Sequence, residues 1–289
     1  MRNEQYVGEL THQAVLMIEA ARAFAADVVA PSAAAWEQER RYPREAFQAA
    51  AEAGLCGLLI SPEHGGAGLG AVAMAEVMEV LAAVDYAFAM SLVVHNNLGG
   101  NISRNGTDAQ RARWLPPMMA GESLGAFLLT EPGGGSDAAA ITCTATRDGE
   151  GWKLDGAKSW VSNAASADLL SVYAQTDASA GWHGIACFLV PAETPGVLRE
   201  DAYAMLGGHA LGTGGIRFES CRVGDDAVLL PPERAFKAAM SGIDIARINV
   251  AAMCAGMLRA GLDIAVAATA AKSAFGKKLA DFQGLQWQL

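Results

Sequence analysis

The chain has 289 residues, of which 52% are hydrophobic and 18% charged. This excludes a disordered chain and fits one large folded unit or two to three small ones. Its net charge of -10 excludes the basic footprint of a nucleic-acid binder, but not a phosphorylated small ligand, which needs only a few local donors.

The N-terminal stretch from Met1 to Gln13 has no apolar run behind its basic residue and does not read as a signal peptide. Residues 4–122 read as helices with short breaks. One helix is predicted from Leu10 to Val29, stopped by Pro31. A second starts at Pro43 and ends at Gly54, a third covers 71–92, and a fourth runs from Asp108 to Ala120. From Gly125 the pattern turns strand-like. Short apolar runs lie at Gly125–Thr130, Trp152–Leu154, Leu170–Ala174, Ile185–Val190, Gly215–Phe218 and Cys221–Val223. Turn signals such as Asp148-Gly149, Asp155-Gly156 and Pro195-Gly196 separate them, as in a sheet or barrel. From Pro231 the chain is helical again, and Phe236–Ala271 is apolar on most sides, so it needs neighbours, as in a bundle. No uninterrupted apolar run reaches bilayer length, which predicts a cytoplasmic protein without a membrane partner. The five cysteines are widely spaced, with no C-x-x-C, and are expected to be buried thiols rather than zinc ligands or disulfides. No other metal site is expected: none of the five histidines falls in an H-x-H or H-E-x-x-H pattern.

Two segments carry the chemical signal. The first, Leu129 to Asp137, ends a strand in Thr130 and continues through Gly133-Gly134-Gly135 to Ser136. Glycines expose backbone N–H groups, so a phosphate or a flavin edge can approach; a plain flexible turn fits the composition as well. In the second, Gly156 to Asn163, Trp160 and Ser162 lie two apart, on one face of a strand. They offer an aromatic wall and a hydrogen-bond donor to a planar heterocycle, although a core Trp beside a surface Ser is the simpler alternative. A dinucleotide turn at Gly66-Ala67-Gly68-Leu69-Gly70-Ala71 is disfavoured: Ser61 to His64 separate it from the candidate strand Leu55–Ile60, and no βαβ alternation follows. No G-x-S-x-G serine-hydrolase elbow is present.

Taken together, these segments resemble the acyl-CoA dehydrogenase family over nearly the whole chain. Supporting pieces are Pro62 to Gly68, matching a P-x-x-x-G-G-x-G turn, then Gly106 to Gln110, Trp114-Leu115-Pro116 and Gly121-Glu122. Downstream, Met205-Leu206-Gly207, Ile216-Arg217-Phe218 and Phe275-Gly276-Lys277-Lys278-Leu279 with Gln283 continue the match. The resemblance implies a mainly α fold with a central β-barrel: a helical domain over 1–124, a barrel over 125–230 and an incomplete helical bundle over 231–289.

It also implies FAD as cofactor and α,β-dehydrogenation of an acyl-CoA thioester, with electrons passed to an electron-transfer flavoprotein. Phe127, Leu129 and Thr130 would contact the flavin ring, Ser136 the cofactor and the CoA moiety, and Trp160 the ring face. Ser162 would point its hydroxyl at N5, where the family usually has Thr. Asp244 and Arg247 match a D-x-x-R at the acyl pocket; without the family they read as an i,i+3 helix pair. Lys272, Phe275 and Gln283 would reach the FAD of a neighbouring subunit in a homodimer or homotetramer. The family usually has Arg at the first of these, and Lys lacks its bidentate fork. The family's catalytic Glu stands either on a late bundle helix, expected beyond Leu289, or just before the matched Arg247, where this chain has Ala246. Asp244 is two positions earlier, about 200° around a helix. The chain is therefore expected to be part of a longer one. The alternatives are a non-catalytic flavin-binding subunit of a hetero-oligomer and an oxygen-using oxidase or monooxygenase of the same fold.

Overall fold

The computed structural model describes residues 10–289; the stretch preceding Leu10, part of the N-terminal segment discussed above, lies outside them. Helix α1 (His12–Phe24) starts where the Thr11 side chain accepts from the Ala14 amide at 3.1 Å, and it runs into a wider turn over Ala25–Val29. Next come α2 (Ala33–Glu39) and α3 (Arg44–Glu52), the latter entered through Pro43 and closed before Gly54 at φ 76. The single helix expected over 71–92 is two, α4 (Ala71–Ala82) and α5 (Tyr86–Asn105). The break is a cap: the Asp85 carboxylate accepts from the Phe88 amide at 2.6 Å. Helix α6 (Asp108–Met119) opens with a reciprocal capping box between Thr107 and Gln110.

Leu55–Ile60 forms no strand. Buried Asn96 meets two of its backbone groups, accepting from Leu58 N at 2.8 Å and donating to Leu55 O at 2.9 Å, and also donates to Leu92 O on its own helix at 3.0 Å. A dinucleotide-binding βα turn is therefore absent here.

The middle of the chain forms strands β1 (Gly125–Leu128), β2 (Thr144–Asp148), β3 (Gly151–Val161), β4 (Leu169–Gln175), β5 (Ile185–Pro191), β6 (Val197–Arg199), β7 (Gly214–Gly224) and β8 (Val228–Leu230). They join in the order β6-β7-β3-β2-β4-β5-β8, with β1 parallel to β4. The expected barrel is an open path among the described residues: β6 pairs only with β7 and β8 only with β5, and each edge strand is three residues long. Strands β2, β6 and β8 carry no clear apolar alternation and were invisible in the sequence. The runs at Gly215 and Cys221 are one strand, β7, kinked at Ser220 with φ 50.

Helix α7 (Ala235–Ala271) packs along α4. At Gly256 the approach is so close that a Cβ would meet Glu79 O at 2.1 Å. By length and composition alone α7 could cross a membrane, contrary to the expectation drawn from uninterrupted runs. Met253 buried against the helical core, with Leu258 and Ile264 exposed, fits a bundle helix with one covered face. Four of the cysteines are buried as expected, whereas Cys254, on this helix, is exposed.

Candidate functional site

The two motif segments meet. The Thr130 carbonyl, just past β1, accepts from the Ser159 amide near the end of β3 at 2.9 Å. Between Lys158 and Val161 the β3–β7 register shifts, and Trp160 takes a left-handed φ of 57. Its indole is 63% exposed and meets Tyr203 edge-on, with ring centroids 4.9 Å apart. A large ring held exposed in a disfavoured backbone conformation marks a place where structure serves something other than stability. Ser162 follows, and the turn behind it is fixed by buried Asn163, whose amide donates to Gly125 O at 3.0 Å. Thr130, Ser162 and Phe127 are half-buried, while Leu129 is in the core at 5% exposure.

Buried His95 fixes the start of β1. Its Nδ1 accepts from Gly125 N and its Nε2 donates to Cys56 O, both at 3.2 Å. Burial pushes its pKa down to about 4, so the ring is neutral and structural.

The glycine-rich turn leaves this edge at Glu131, which is buried. The turn itself is exposed: a Cβ on Gly133 or Gly134 would meet nothing within 4 Å, while Gly135 folds back over Thr130. Ser136 is exposed on it. Beneath lies a buried ion pair that the motifs did not suggest, Lys158 Nζ to Glu131 Oε1 at 2.7 Å. A lysine inside a strand whose neighbour Leu154 faces the core was the available signal.

A cavity of about 490 Å³ lies between α5, α7 and strands β1 and β4. Val93, Asn97 and Leu98 line it from α5, Phe127 and Tyr173 from the sheet, and Ile243, Ala246 and Val250 from α7. The sequence reading did not find it, because it needs the packing of two helices distant in sequence. Burial raises the Tyr173 pKa well above its ordinary value and keeps the hydroxyl neutral. No Asp or Glu belongs to the cavity lining. Asp244 and Arg247 do not line it either: they pair with each other at 3.1 Å on the solvent side, as an i,i+3 helix pair. Ala246 faces the cavity, which accords with the angular separation expected of Asp244.

Lys272, Phe275 and Gln283 lie at the far end of α7. Val250 is 21 residues from Ala271, the last residue of α7, about 32 Å along its axis, and Lys272 follows in extended backbone. Phe275 is 97% exposed and, with Gln283, lines a separate open hollow.

The residues at the β1–β3 edge fit a flavin: an exposed indole, two half-buried hydroxyls and an open glycine turn suit a planar, hydrogen-bonding ring with a phosphate tail. Three profiles match in order: acyl-CoA dehydrogenase N-terminal domain over residues 11–122, middle domain over 126–221 and C-terminal domain over 234–289. The chain belongs to the acyl-CoA dehydrogenase family. Among acyl-CoA dehydrogenases, it is 37% identical to the bovine (Bos taurus) mitochondrial short-chain specific enzyme over 280 residues, spanning 96% of this chain and 68% of that one. It superposes on butyryl-CoA dehydrogenase from Megasphaera elsdenii with a TM-score of 0.91 at 30% identity, covering 97% of this chain and 74% of the other. Glutaryl-CoA dehydrogenase from Mycobacterium smegmatis, in complex with FADH2, gives 0.88 at 30% identity, covering 96% and 71%.

Proposed function

We propose that this chain binds FAD at the β1–β3 edge and contributes the acyl cavity of an enzyme that α,β-dehydrogenates an acyl-CoA thioester. The observation that carries this is Phe127. It lines the cavity from β1, and three residues on, just past the strand, comes Thr130, whose carbonyl is hydrogen-bonded to Ser159 beside Trp160 and Ser162. A substrate chain in the cavity would thus end against a ring at that edge. The glutaryl-CoA dehydrogenase in complex with FADH2 supports the choice of cofactor.

In such a reaction the thioester loses a proton from its α-carbon and a hydride from its β-carbon, and the flavin supplies the hydride acceptor. Phe127 and Trp160 would orient the ring, Thr130 and Ser162 would donate to its polar edge, and Ser136 would contact the CoA moiety. The apolar walls at Val93, Leu98 and Val250 would exclude water from the reacting carbons. Lys272, Phe275 and Gln283 would serve a neighbouring subunit's FAD, consistent with their distance from the cavity. An electron-transfer flavoprotein would take the electrons. The base is a carboxylate outside the cavity lining described above.

The test is the visible spectrum. Protein purified with added FAD should be yellow, with one FAD per chain. Colourless folded protein, or protein selecting FMN, refutes the proposal. A second reading, a flavin-binding subunit without its own turnover, is favoured by the carboxylate-free cavity; activity assays of the chain alone and with a partner separate the two.

A further inference from the structure

Among the described residues, Glu131 and Lys158 are placed unlike any other ion pair. The lysine side chain is fully buried and the glutamate's is 6% exposed, whereas the remaining pairs are at the surface or half-buried. Lys158 Nζ also donates to Leu129 O at 3.1 Å. Glu131 accepts three further bonds: from Thr142 N at 2.6 Å, Thr142 Oγ1 at 2.7 Å and Cys143 N at 2.9 Å. Every partner is a donor, so the carboxylate is bound in its ionised form. Burial disfavours that charge, but Lys158 and the Thr142 donors outweigh it and hold the Glu131 pKa below its usual range.

A buried ion pair rarely adds net stability over an apolar pair of the same shape, so its presence asks for a reason in specificity of geometry. The connectivity supplies one. Glu131 adjoins Thr130, and its carboxylate grips Thr142 and Cys143, so a single side chain closes the base of the whole exposed turn from Pro132 to Ile141. Lys158 lies two residues before Trp160 on β3 and is tied to both Leu129 and Glu131. The five bonds thus join the segment after β1 that bears Thr130, the turn bearing Ser136 and the strand bearing Trp160 at one point below the surface.

We propose that Glu131 and Lys158 are positioning residues: they set the spacing of Thr130, Ser136 and Trp160 and so shape the flavin site without touching the flavin. This rests on the FAD reading above, and the experiment separates the two. The full chain is compared with Lys158→Met, Glu131→Gln and the double variant, in which no buried charge is left unpaired. Hydrogen exchange is followed over residues 132–143 in protein without FAD, and Kd and the visible spectrum are followed with it.

The double variant should fold with a melting temperature near that of the parent. It should still exchange the 132–143 amides at least tenfold faster, bind FAD at least tenfold more weakly and shift the visible bands of what binds. Lys158→Arg, which keeps the charge and a donor, should recover part of the affinity. Unchanged exchange in the double variant overturns the inference whether or not the parent binds FAD. Faster exchange with unchanged Kd and spectrum overturns it too, showing a merely structural staple. A parent that binds no FAD refutes the FAD reading and, with it, the role in the flavin site, leaving the exchange result as a statement about the turn alone.

Discussion

His209 Nδ1 lies 2.5 Å from Glu37 Oε1, joining α2 to the segment that leads into β7. The other ring nitrogen faces Met205 O at 2.9 Å, and the Glu37 carboxylate also accepts from the Gly208 and His209 amides. Tyr203, which meets Trp160, lies at the start of this segment.

Acid should loosen that tie. Partial burial opposes ionisation of Glu37, but the hydrogen bonds from His209 outweigh it and hold the carboxyl below its ordinary pKa. A group depressed on folding contributes fully above its unfolded value, about 4.3, and loses the contribution as pH falls through the lower folded value. Glu37→Gln should therefore destabilise the fold modestly at pH 7, by less than about 1 kcal/mol because solvent screens this half-exposed group, and little at low pH. Melting curves of the two proteins that stay parallel from neutral pH into acid would contradict this.

Ser162→Ala removes a half-buried hydroxyl from the edge beside Trp160. Loss of one neutral hydrogen bond is worth about 1 kcal/mol, roughly fivefold in Kd for FAD. Folding should be almost untouched. Flavin fluorescence titration gives the affinity, and an unchanged Kd would show that the hydroxyl faces away from the cofactor.

The cavity has no carboxylate, so these 289 residues assayed alone should not dehydrogenate an acyl-CoA, even when loaded with FAD. Anaerobic mixing with short-chain acyl-CoAs should leave the flavin absorbance unbleached. Ala246→Glu places a carboxyl in the cavity wall, where burial raises its pKa toward that of a useful base, and should produce slow bleaching. Rapid bleaching by the unmodified chain would mean that a base has been overlooked.

Leu258 is 74% exposed and Ile264 70% exposed on α7, and Phe275 is bare beyond it. Large apolar side chains this exposed seek cover. Sedimentation at micromolar concentration should show a dimer or a dimer of dimers. Leu258→Glu with Ile264→Glu should drive it toward monomer. A monodisperse flavin-loaded monomer would count against the subunit contact.

Neither Gly133 to Ser136 nor Trp160 to Ser162 was distinctive alone, since a plain turn and a core Trp fit them as well. It was their combination in the family pattern that drew them together, and the structure brings the two segments side by side through Thr130 and Ser159. The helix break at Asp85 was missed because the apolar pattern continues across it, and only the cap interrupts the backbone. The strands β2, β6 and β8 were missed because their neighbours in the sheet, not their own patterns, make them strands. Lys158 and Glu131 lie 27 residues apart, and only folding shows that they meet. The same holds for the cavity, whose walls come from α5 and α7.

The contact at Gly256 reaches further than its size suggests. With Glu79 O in the space a Cβ would need, α7 can approach α4 this closely only with a glycine at this position. Ala246 lies ten residues away on the same rigid helix, about 15 Å along the axis. The width of the cavity is thus set in part at a contact outside its lining. A methyl group added at Gly256 would act as a shim, tilting the far wall and admitting a differently shaped chain while every lining residue stays the same.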